Sequence, residues 1–479
     1  MQISIQNHND AYIVREIVSA YYPKEKLEFI DTCPTAENFI ISGYDVIDYS
    51  YVYRCTVRIN GKIENEYVIS HSFNRNCIKK SIALCLENIT GLKLPWGVMT
   101  GIRPSKNVRE FTETHKSLSP VDYLIKTYGC NEDKAKLAYE VYKNERSIIK
   151  NKYDDGISLY IGIPFCPTRC LYCSFTSQSI AFSNKLVKPY IKALIHEIHA
   201  VSKSEFIKSK RIETVYFGGG TPSAIDADQI DIILTELENS FDLSHLRELT
   251  FEAGRPDTIT EEKLGVLKKH GITRISINPQ TVNDKTLELI GRNHTSEDFF
   301  ISYQLAEKMG FSHINCDIIA GLPGESVTDF EKTVNLLSKI APESITVHTM
   351  CIKHGSFLDM KYNMYSLSTA ETVNNMLDIA YRKANNSGYL PYYMYRQKNM
   401  LGNLENVGYC KPGHACLYNI YIMEEVHNIV ALGAGGSTKL VDGRRIERVF
   451  NVKEVSEYIK RIDEMIKRKT DLFESFKEI

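Results

Sequence analysis

Short apolar runs that are rich in β-branched residues and end in glycine or polar residues recur through the middle of the chain. Six of them lie at 158–163, 213–220, 248–254, 273–280, 313–323 and 344–352. Segments with helical apolar spacing lie between them, for example 185–204, 227–239 and 327–339. This alternation predicts six strand–helix units and an α/β fold with a parallel, curved sheet. Active sites of such folds are built at the strand ends, where the glycine and polar residues fall.

The first 150 residues show a different pattern. Three segments have the composition of strands, and a fourth has the apolar spacing of a helix: 37–43, 50–59, 62–70 and about 74–87. Asn60–Gly61 joins the second and third segments and is a strong hairpin signal. We therefore expect a separate α+β accessory domain over 1–150, which covers the substrate or binds a partner.

The C-terminal part, 361–479, is expected to cover the open side of the sheet, which leaves 151–360 as the central domain. Its glycine-rich segment 430–439 fits either a turn or a close backbone approach to substrate. Residues 452–470 have the pattern of an amphipathic surface helix.

Composition excludes several classes of protein. The 58 basic and 59 acidic residues give a net charge of −1, which argues against general binding of nucleic acid or of a membrane surface. No apolar run approaches the length that spans a bilayer, and the start of the chain lacks a signal-peptide pattern. We expect a cytoplasmic monomer. Most of the twelve cysteines are scattered in apolar stretches and are expected to be buried free thiols.

Cys166, Cys170 and Cys173 are the exception. Their spacing brings three sulfurs into a small volume, where thiolates repel one another unless a metal neutralises them. A structural zinc site needs a fourth protein ligand, and no second pair of ligand type lies nearby. A [4Fe-4S] cluster held by three cysteines leaves one iron open to an exogenous ligand. Clustered structural thiols are the alternative.

The spacing C-x3-C-x2-C, with Tyr172 before the last cysteine, resembles the signature of radical S-adenosylmethionine (SAM) enzymes. LYIGIPFC, FGGGTPS, RISINPQ, IGRNHT and NCDIIAGLPGES further resemble the oxygen-independent coproporphyrinogen III oxidase superfamily within that group. WGVMTGIRPSK and PYYMYRQKNMLGNLENVGY, near residues 100 and 400, resemble its coproporphyrinogen dehydrogenase branch, HemZ. The resemblance implies a partial (βα)6 TIM-like radical SAM barrel with an N-terminal α+β domain and a C-terminal α/β extension.

The resemblance also implies a set of site residues. Cys166, Cys170 and Cys173 would ligate the cluster, and Tyr160 would be a catalytic residue beside the cluster and SAM. The SAM pocket would comprise Tyr160, Gly219, Gly220, Thr221, Glu252, Gln280, Arg292 and Asp317. Within it the glycines and Thr221 would contact the methionine part, Glu252 the ribose hydroxyls and Arg292 a carboxylate. The turn at Gly321 would support the adenosine side. Taken singly, these residues also fit tight turns, caps or solvated strand ends.

By the same resemblance, the activity would be oxidative decarboxylation of coproporphyrinogen III propionates to vinyl groups, with a [4Fe-4S] cluster, SAM and an electron from flavodoxin or ferredoxin. A haem-binding chaperone is the alternative, as is another radical SAM enzyme that methylates or opens a tetrapyrrole. Two departures bear on this choice. Phe175 stands where the oxidases carry a further cysteine, and Gly162 stands where they carry a histidine. A haem-binding H-N-x-x-Y-W motif is absent from the sequence.

The sequence does not decide the roles of two smaller sets of residues. Substrate propionates need cationic partners, and the candidates are Arg103, Lys106, Arg255, Arg396 and Lys398, each of which also fits a solvated surface charge. Cys410, His414 and Cys416 fit either a second metal site or isolated thiols.

Overall fold

The computed structural model describes residues 1–115, 117–174, 178–353, 355–361, 364–398, 400–443 and 445–476. The chain forms two compact units. Unit 1 contains Met1–Tyr142, Thr369–Asn374 and Tyr395–Glu405, and unit 2 contains Lys143–Ser368, Asn375–Met394 and Asn406–Ile479. The division into 1–150, 151–360 and 361–479 remains a prediction.

Unit 1 is an α+β structure. Its elements are β1 (Gln2–Gln6), α1 (Ala11–Tyr21), β2 (Glu28–Ile30), β3 (Phe39–Ile47), β4 (Ser50–Ile59), β5 (Lys62–Ser70), α2 (Arg75–Thr90), α3 (Pro104–Thr114) and α4 (Pro120–Tyr128), while α5 (Glu132–Lys150) contains residues of both units. The described strands form a five-stranded sheet in the order β2-β1-β3-β4-β5. Residues from one face of this sheet and from α1 and α2 form the core, for example Ile40, Val57, Val14 and Ile82.

The predicted hairpin of unit 1 is present. β4 and β5 pair antiparallel around Asn60 and Gly61, which both have the positive φ of a tight hairpin turn, +50° and +80°. The helix predicted over about 74–87 is α2, and the Asn74 side chain caps its N-terminus by accepting from the Asn76 N–H at 2.9 Å.

Unit 2 carries the strand–helix repeat. Its first part contains β6 (Gly156–Ile163), β7 (Phe165–Cys166), β8 (Gln178–Ser179), α6 (Ile180–Ser202), α7 (Glu205–Lys208), β9 (Arg211–Gly219), α8 (Ala227–Ser240), β10 (Glu248–Gly254), α9 (Glu261–Lys269), β11 (Arg274–Ile277), α10 (Asp284–Leu289), α11 (Ser296–Lys308), β12 (Ile314–Ala320), α12 (Val327–Ile340) and β13 (Ser344–Thr349). β6, β9, β10, β11, β12 and β13 pair in that order, and every pair is parallel. The predicted (βα)6 arrangement is therefore confirmed.

The C-terminal part adds strands at both edges of these six. Its elements are α13 (Phe357–Met360), α14 (Ala370–Asn386), β14 (Leu390–Tyr395), β15 (Asn406–Cys410), α15 (Leu417–Glu424), β16 (Asn428–Leu432), β17 (Ser437–Asp442), β18 (Arg445–Phe450), α16 (Val455–Lys460) and α17 (Ile462–Ser475). The described sheet runs β14-β15-β13-β12-β11-β10-β9-β6-β16-β17-β18. β16 joins β6 in parallel, and β15 joins β13 antiparallel.

The glycine-rich segment between β16 and β17 packs against the protein's own backbone. A Cβ on Gly433, whose φ is +95°, would lie 2.5 Å from the Gly162 carbonyl oxygen and 2.6 Å from the Tyr190 hydroxyl. This segment therefore forms a turn that approaches β6. No helix in the described part of the chain is long and apolar enough to cross a bilayer.

Candidate functional site

Polar residues alternate with apolar ones along the six parallel strands, so that one face of the sheet is polar. Residues of this face are Ser158 and Tyr160, Thr214 and Tyr216, Thr250 and Glu252, Ser276 and Asn278, Asn315 and Asp317, and Thr346 and His348. Because the side chains of a strand alternate between its faces, each pair lies on the same side with an apolar residue between its members. The second member of each pair stands nearer the C-terminal end of its strand or directly after it.

The glycine loop, residues 218–221 at the end of β9, lies directly against the start of the cysteine loop, residues 164–174. Gly220 N–H donates to the Ile163 carbonyl at 2.8 Å, and Thr221 N–H donates to the Phe165 carbonyl at 2.7 Å. A Cβ on Gly220 would lie 2.5 Å from the Phe165 oxygen and 3.0 Å from Cys166 Sγ. Only glycine fits at this position, because its missing side chain leaves room for the start of the cysteine loop.

Residues 168 and 171 of the cysteine loop are held by Arg255 and by residues 290–291. Arg255 contacts Thr168 Oγ1 at 2.7 Å, and its Nη1 lies 4.0 Å from Cys170 Sγ. Thr168 Oγ1 also donates to the Gly291 carbonyl at 2.8 Å, and Leu171 N–H donates to the Ile290 carbonyl at 2.9 Å. The loop that carries the cysteines is therefore fixed by the segments that follow β10 and β11.

Arg292 stands beside this loop and is buried. Its Nη1 donates to the Asn278 carbonyl at 2.7 Å, and its Nε has no partner among the described residues. Burial alone would lower the pKa of the guanidinium, but the neighbouring Tyr172 hydroxyl and Cys170 thiol raise it on balance. Arg292 therefore stays charged beside the Tyr172 hydroxyl and the Cys170 thiol.

Polar and cationic side chains lie beside the cysteine thiols, which suits thiolates that bind a cluster. Thr221 Oγ1 lies 3.4 Å from Cys166 Sγ, and Arg255 and Arg292 supply positive charge beside Cys170. Donors and cations that stabilise bound thiolates are thus in place.

A stack of tyrosines lies on the polar face next to Glu252. The Tyr216 ring is stacked on Tyr160 and Tyr418, with centroids 6.3 and 4.5 Å away, and the Tyr216 hydroxyl donates to Glu252 Oε1 at 2.5 Å. Loss of hydration is the main reason that the pKa of Glu252 rises to about 7; the Tyr216 hydrogen bond opposes the rise and Asp317 adds to it. Glu252 is therefore a carboxyl group that titrates near neutral pH.

Asn278 joins Asp317, Gln280 and Arg292. Its side-chain oxygen accepts from the Asp317 N–H at 3.1 Å, while its carbonyl accepts from Arg292. Gln280 has a positive φ of 65°, and it donates its N–H to the Asp317 carbonyl and accepts from Ile319 N–H, at 2.9 and 3.0 Å. This backbone bridge turns the chain after β11 toward β12.

Gln280 and Arg292 each carry a buried polar atom that has no hydrogen-bond partner among the described residues. Gln280 is 7% exposed, and its Oε1 has no hydrogen-bond partner among the described residues; Arg292 Nε is in the same state. The Asp317 carboxylate accepts from Asn315 at 2.7 Å and lies 3.6 Å from His348 Nε2. Burial tends to raise the pKa of Asp317, but His348 and the hydrogen bonds lower it overall, so that the group stays ionised. An unpaired acceptor, an unpaired donor and an anion thus share one end of the sheet.

The predicted SAM-pocket residues therefore lie at one edge of the sheet. Contacts on the polar face connect Tyr160, Glu252 and Asp317, the loops connect Gly220 and Thr221 with Cys166, and Asn278 connects Gln280 with Arg292. Sequence reasoning missed Tyr216, Tyr418, Asn278 and His348. Tyr216 had a local signal, since it stands two residues before Gly218 on the polar face.

Several other candidates are engaged in structural contacts. Arg255 forms a two-fold ion pair with Asp257, at 2.9 and 2.8 Å, and its Nη1 donates to Thr168, so its donors are already engaged. The Cys416 thiol lies 3.3 Å from Glu248 Oε1, which also accepts from the Tyr418 N–H at the start of α15. Arg396 and Lys398 belong to unit 1. Phe175 lies outside the described residues.

Comparison with known proteins identifies relatives. The radical SAM superfamily model matches residues 160–337. The oxygen-independent coproporphyrinogen-III oxidase-like protein HemZ of Bacillus subtilis is 40% identical over 412 residues, which are 84% of this chain and 82% of that protein. The heme chaperone HemW of Bacillus subtilis is 35% identical over 201 residues, 41% of this chain and 51% of that protein. Among solved structures, coproporphyrinogen III oxidase HemN of Escherichia coli matches with a TM-score of 0.54 and 20% identity, over 67% of this chain and 72% of that one.

Proposed function

Because the chain belongs to the radical SAM superfamily, and within it to the HemZ-like coproporphyrinogen-III oxidase-like proteins, we propose that it decarboxylates the propionates of coproporphyrinogen III without oxygen. Each propionate that reacts would lose a β-hydrogen atom, carbon dioxide and one electron, and would become a vinyl group. The observation that carries the proposal is the meeting of the cysteine loop, the glycine loop and the polar residues at the C-terminal ends of the six parallel strands.

The superfamily uses a [4Fe-4S] cluster and SAM, and the residues of this edge suit both. In the proposal Cys166, Cys170 and Cys173 hold the cluster. Together the two cofactors supply one-electron cleavage of SAM and abstraction of a hydrogen atom from substrate. The protein's own part is to hold them: the backbone of Gly220 packs against Cys166, and the Thr221 hydroxyl lies 3.4 Å from the sulfur of that cysteine.

The strand ends would orient SAM through groups of different charge. Arg292 would face a carboxylate with its unpaired Nε, and Gln280 would accept an N–H with its unpaired Oε1. Glu252 would accept hydroxyl groups of the ribose, while Tyr216 holds one of its oxygens in place. Asp317 stays ionised and would attract the cationic parts of SAM. Tyr160, stacked on Tyr216, would close the wall of the pocket nearest the cluster.

Coproporphyrinogen is a large, mostly apolar macrocycle of four pyrrole rings with acidic side chains. The rings of Tyr160, Tyr216 and Tyr418 offer an aromatic surface on the polar face, which suits contact with pyrrole rings. The low-potential electron would come from a flavodoxin or ferredoxin.

A haem-binding chaperone is the second candidate, and the similarity to HemW favours it. Gly162 and Phe175 also depart from the oxidase pattern at two positions near the cluster loop. Such a protein would keep the cluster and SAM site but release haem unchanged.

One anaerobic experiment separates the two candidates. The protein with a reconstituted cluster is incubated with SAM, reduced flavodoxin and coproporphyrinogen III, and 5′-deoxyadenosine and porphyrins are followed by mass spectrometry. Monovinyl and divinyl products would support the decarboxylase. Cleavage of SAM with unchanged coproporphyrinogen, together with tight stoichiometric haem binding, would support the chaperone instead.

Cys170→Ala is the inactive reference, and Cys316→Ala is its matched control because Cys316 is a buried cysteine of β12 outside the cluster loop. We expect SAM cleavage to be lost in the first variant and kept in the second. Equal cleavage by wild type and Cys170→Ala would contradict the proposed cluster site.

A further inference from the structure

Unit 1 contains a cleft of about 230 Å³ that plays no part in the site of unit 2. It lies between α1, the segment around Thr100 and the segment that follows Tyr395. Its lining includes Tyr12, Glu16, Ile102, Arg396, Met400 and Asn403. The side chains are partly apolar and partly charged, as in sites for small organic ligands.

Two residues that line this cleft, Arg396 and Asn403, each carry a buried N–H group that lacks an acceptor in the described part of the chain. Arg396 is 3% exposed; its Nη1 donates to the Met99 carbonyl at 2.5 Å and its Nη2 to the Asn403 carbonyl at 2.7 Å. Within the described structure, Arg396 Nε and Asn403 Nδ2 have no hydrogen-bond partner. Leaving a buried donor unpaired is unfavourable, because the group has lost its hydration without gaining a partner. Two such donors on one cleft indicate a ligand that brings acceptor atoms.

The charge of the cleft favours an anion. Its described lining carries the cations Arg15, Arg396 and Lys398 and one carboxylate, Glu16. Glu16 already accepts from the Thr100 hydroxyl at 2.7 Å and lies 3.5 Å from Lys79 Nζ and 3.9 Å from Lys398 Nζ. Its charge is therefore balanced by the two lysines.

The guanidinium of Arg396 is less well balanced. Burial lowers its pKa to about 10, although Glu405 raises it. Glu405 is shared with two other donors, the Trp96 N–H and the Lys134 ammonium, both at 2.7 Å. An anion bound at Arg396 would complete the compensation of this buried charge.

We propose that this cleft binds a carboxylate carried on an apolar body. One carboxylate oxygen accepts from Arg396 Nε and the other from Asn403 Nδ2, while the apolar part lies against Tyr12, Ile102 and Met400. Two sources share this chemistry: a free aromatic or aliphatic acid, and the propionate of a larger molecule.

Calorimetric titration of the full-length protein with 3-phenylpropionate tests the proposal, and it requires neither SAM nor a cluster. The neutral amide of the same acid has the same body without the charge. We expect the acid to bind at least ten-fold more tightly than the amide. Equal binding of acid and amide, or binding of neither, would overturn the proposal.

Asn403→Asp replaces the donor by a like-charged carboxylate, and aspartate tolerates the φ of +53° at this position. We expect at least a ten-fold loss of affinity for the acid. Asn60→Asp is the matched control because it makes the same change at a φ of +50° in the β4–β5 turn. Ile102→Trp is the second variant, in which the indole occupies the cleft; thermal melts check the folding of all three.

Unchanged affinity in both Asn403→Asp and Ile102→Trp would overturn the assignment of the cleft. Coproporphyrin III and its tetramethyl ester then distinguish the sources. If Asn403→Asp weakens binding of coproporphyrin as well as of phenylpropionate, the site recognises tetrapyrrole propionates. If it weakens only the small acid, the ligand is a free carboxylic acid.

Discussion

Gly220 shows how closely the site depends on one missing side chain. Two backbone hydrogen bonds draw its loop against residues 163–166, and the space where a Cβ would stand is filled by the Phe165 oxygen and Cys166 Sγ. The backbone cannot retreat without breaking these hydrogen bonds.

Gly220→Ala is therefore expected to displace Cys166 and reduce cluster incorporation several-fold. Iron per chain and visible absorbance after anaerobic reconstitution measure the effect. Gly265→Ala is the control, since the nearest atom to its added Cβ is 3.9 Å away. Equal iron content in both variants would contradict the role of this contact.

Glu252 is expected to make the stability of the cluster-free protein depend on pH. Its pKa is raised to about 7 in the folded chain, so between about 4.5 and 7 the folded state binds more protons than the unfolded state. Stability therefore falls as pH rises through this window, by on the order of 1–3 kcal/mol from this group.

Glu252→Gln removes this titration and should flatten that part of the curve of unfolding free energy against pH. Chemical denaturation at several pH values gives both curves. Glu325, whose pKa burial also raises to about 7, supplies a similar slope in wild type and variant alike. Parallel curves for the two proteins would contradict the prediction.

The sequence identified the expected cofactor-binding residues more readily than the residues that pack against them. Cys166, Cys170 and Cys173 stand in one short motif, and Glu252 ends a recognisable strand. Tyr418 and Tyr216 come from segments about 200 residues apart, and only the fold brings their rings to a centroid distance of 4.5 Å. The pairing of Arg255 with Asp257 was equally hidden, since an arginine at a strand end also fits a ligand contact.

At the scale of elements, Glu197 connects α6 with the C-terminal helices. This buried carboxylate accepts from the Gly433 N–H at 2.7 Å, the Tyr458 hydroxyl at 2.6 Å and the Lys469 ammonium at 2.6 Å. One residue of α6 thus holds the turn after β16 and one residue in each of α16 and α17.

Glu197→Ala is expected to destabilise the protein by roughly 3–5 kcal/mol, because it leaves Lys469 buried without its carboxylate. Glu236→Ala is the control: it breaks a half-exposed pair with His199, which contributes at most about 1 kcal/mol. Urea denaturation compares the two. Similar losses in both variants would show that the Glu197 network does not stabilise the fold.

The alternation of strands and helices could be predicted from the sequence because each strand–helix pair is formed by neighbouring residues. The six apolar runs correspond to β6, β9, β10, β11, β12 and β13. The strands β1, β2 and β16 were not predicted as such, since they are short and each has a partner strand at least 26 positions away in the sequence. β16 pairs with β6, whose residues precede it by about 270 positions, and no local pattern reports such a partner.

At the scale of the whole molecule, unit 1 is discontinuous in sequence. The segment Tyr395–Glu405 contributes Glu405, which accepts from Trp96 and Lys134. The sequence pattern suggests a domain boundary near residue 150. A cut there would separate the buried donors Trp96 and Lys134 from the carboxylate of Glu405.

A fragment of residues 1–150 is expected to lose the native environment of Trp96. This residue is the only tryptophan of the chain and is 0% exposed, so its fluorescence reports on unit 1 alone. We expect emission of the fragment to be red-shifted relative to the full chain, with Glu405→Gln in the full chain as an intermediate case. Identical spectra would show that unit 1 folds without the later segment.

The pairing of β16 with β6 also has a consequence for biosynthesis. During translation β6 emerges early and gains β9 on one side, but its other edge carries unpaired backbone groups until residues 428–432 leave the ribosome. The cysteine loop follows this unfinished edge directly. Iron and sulfide delivered to a nascent chain would therefore meet a scaffold that is still open, and we expect cluster insertion to follow release of the completed polypeptide.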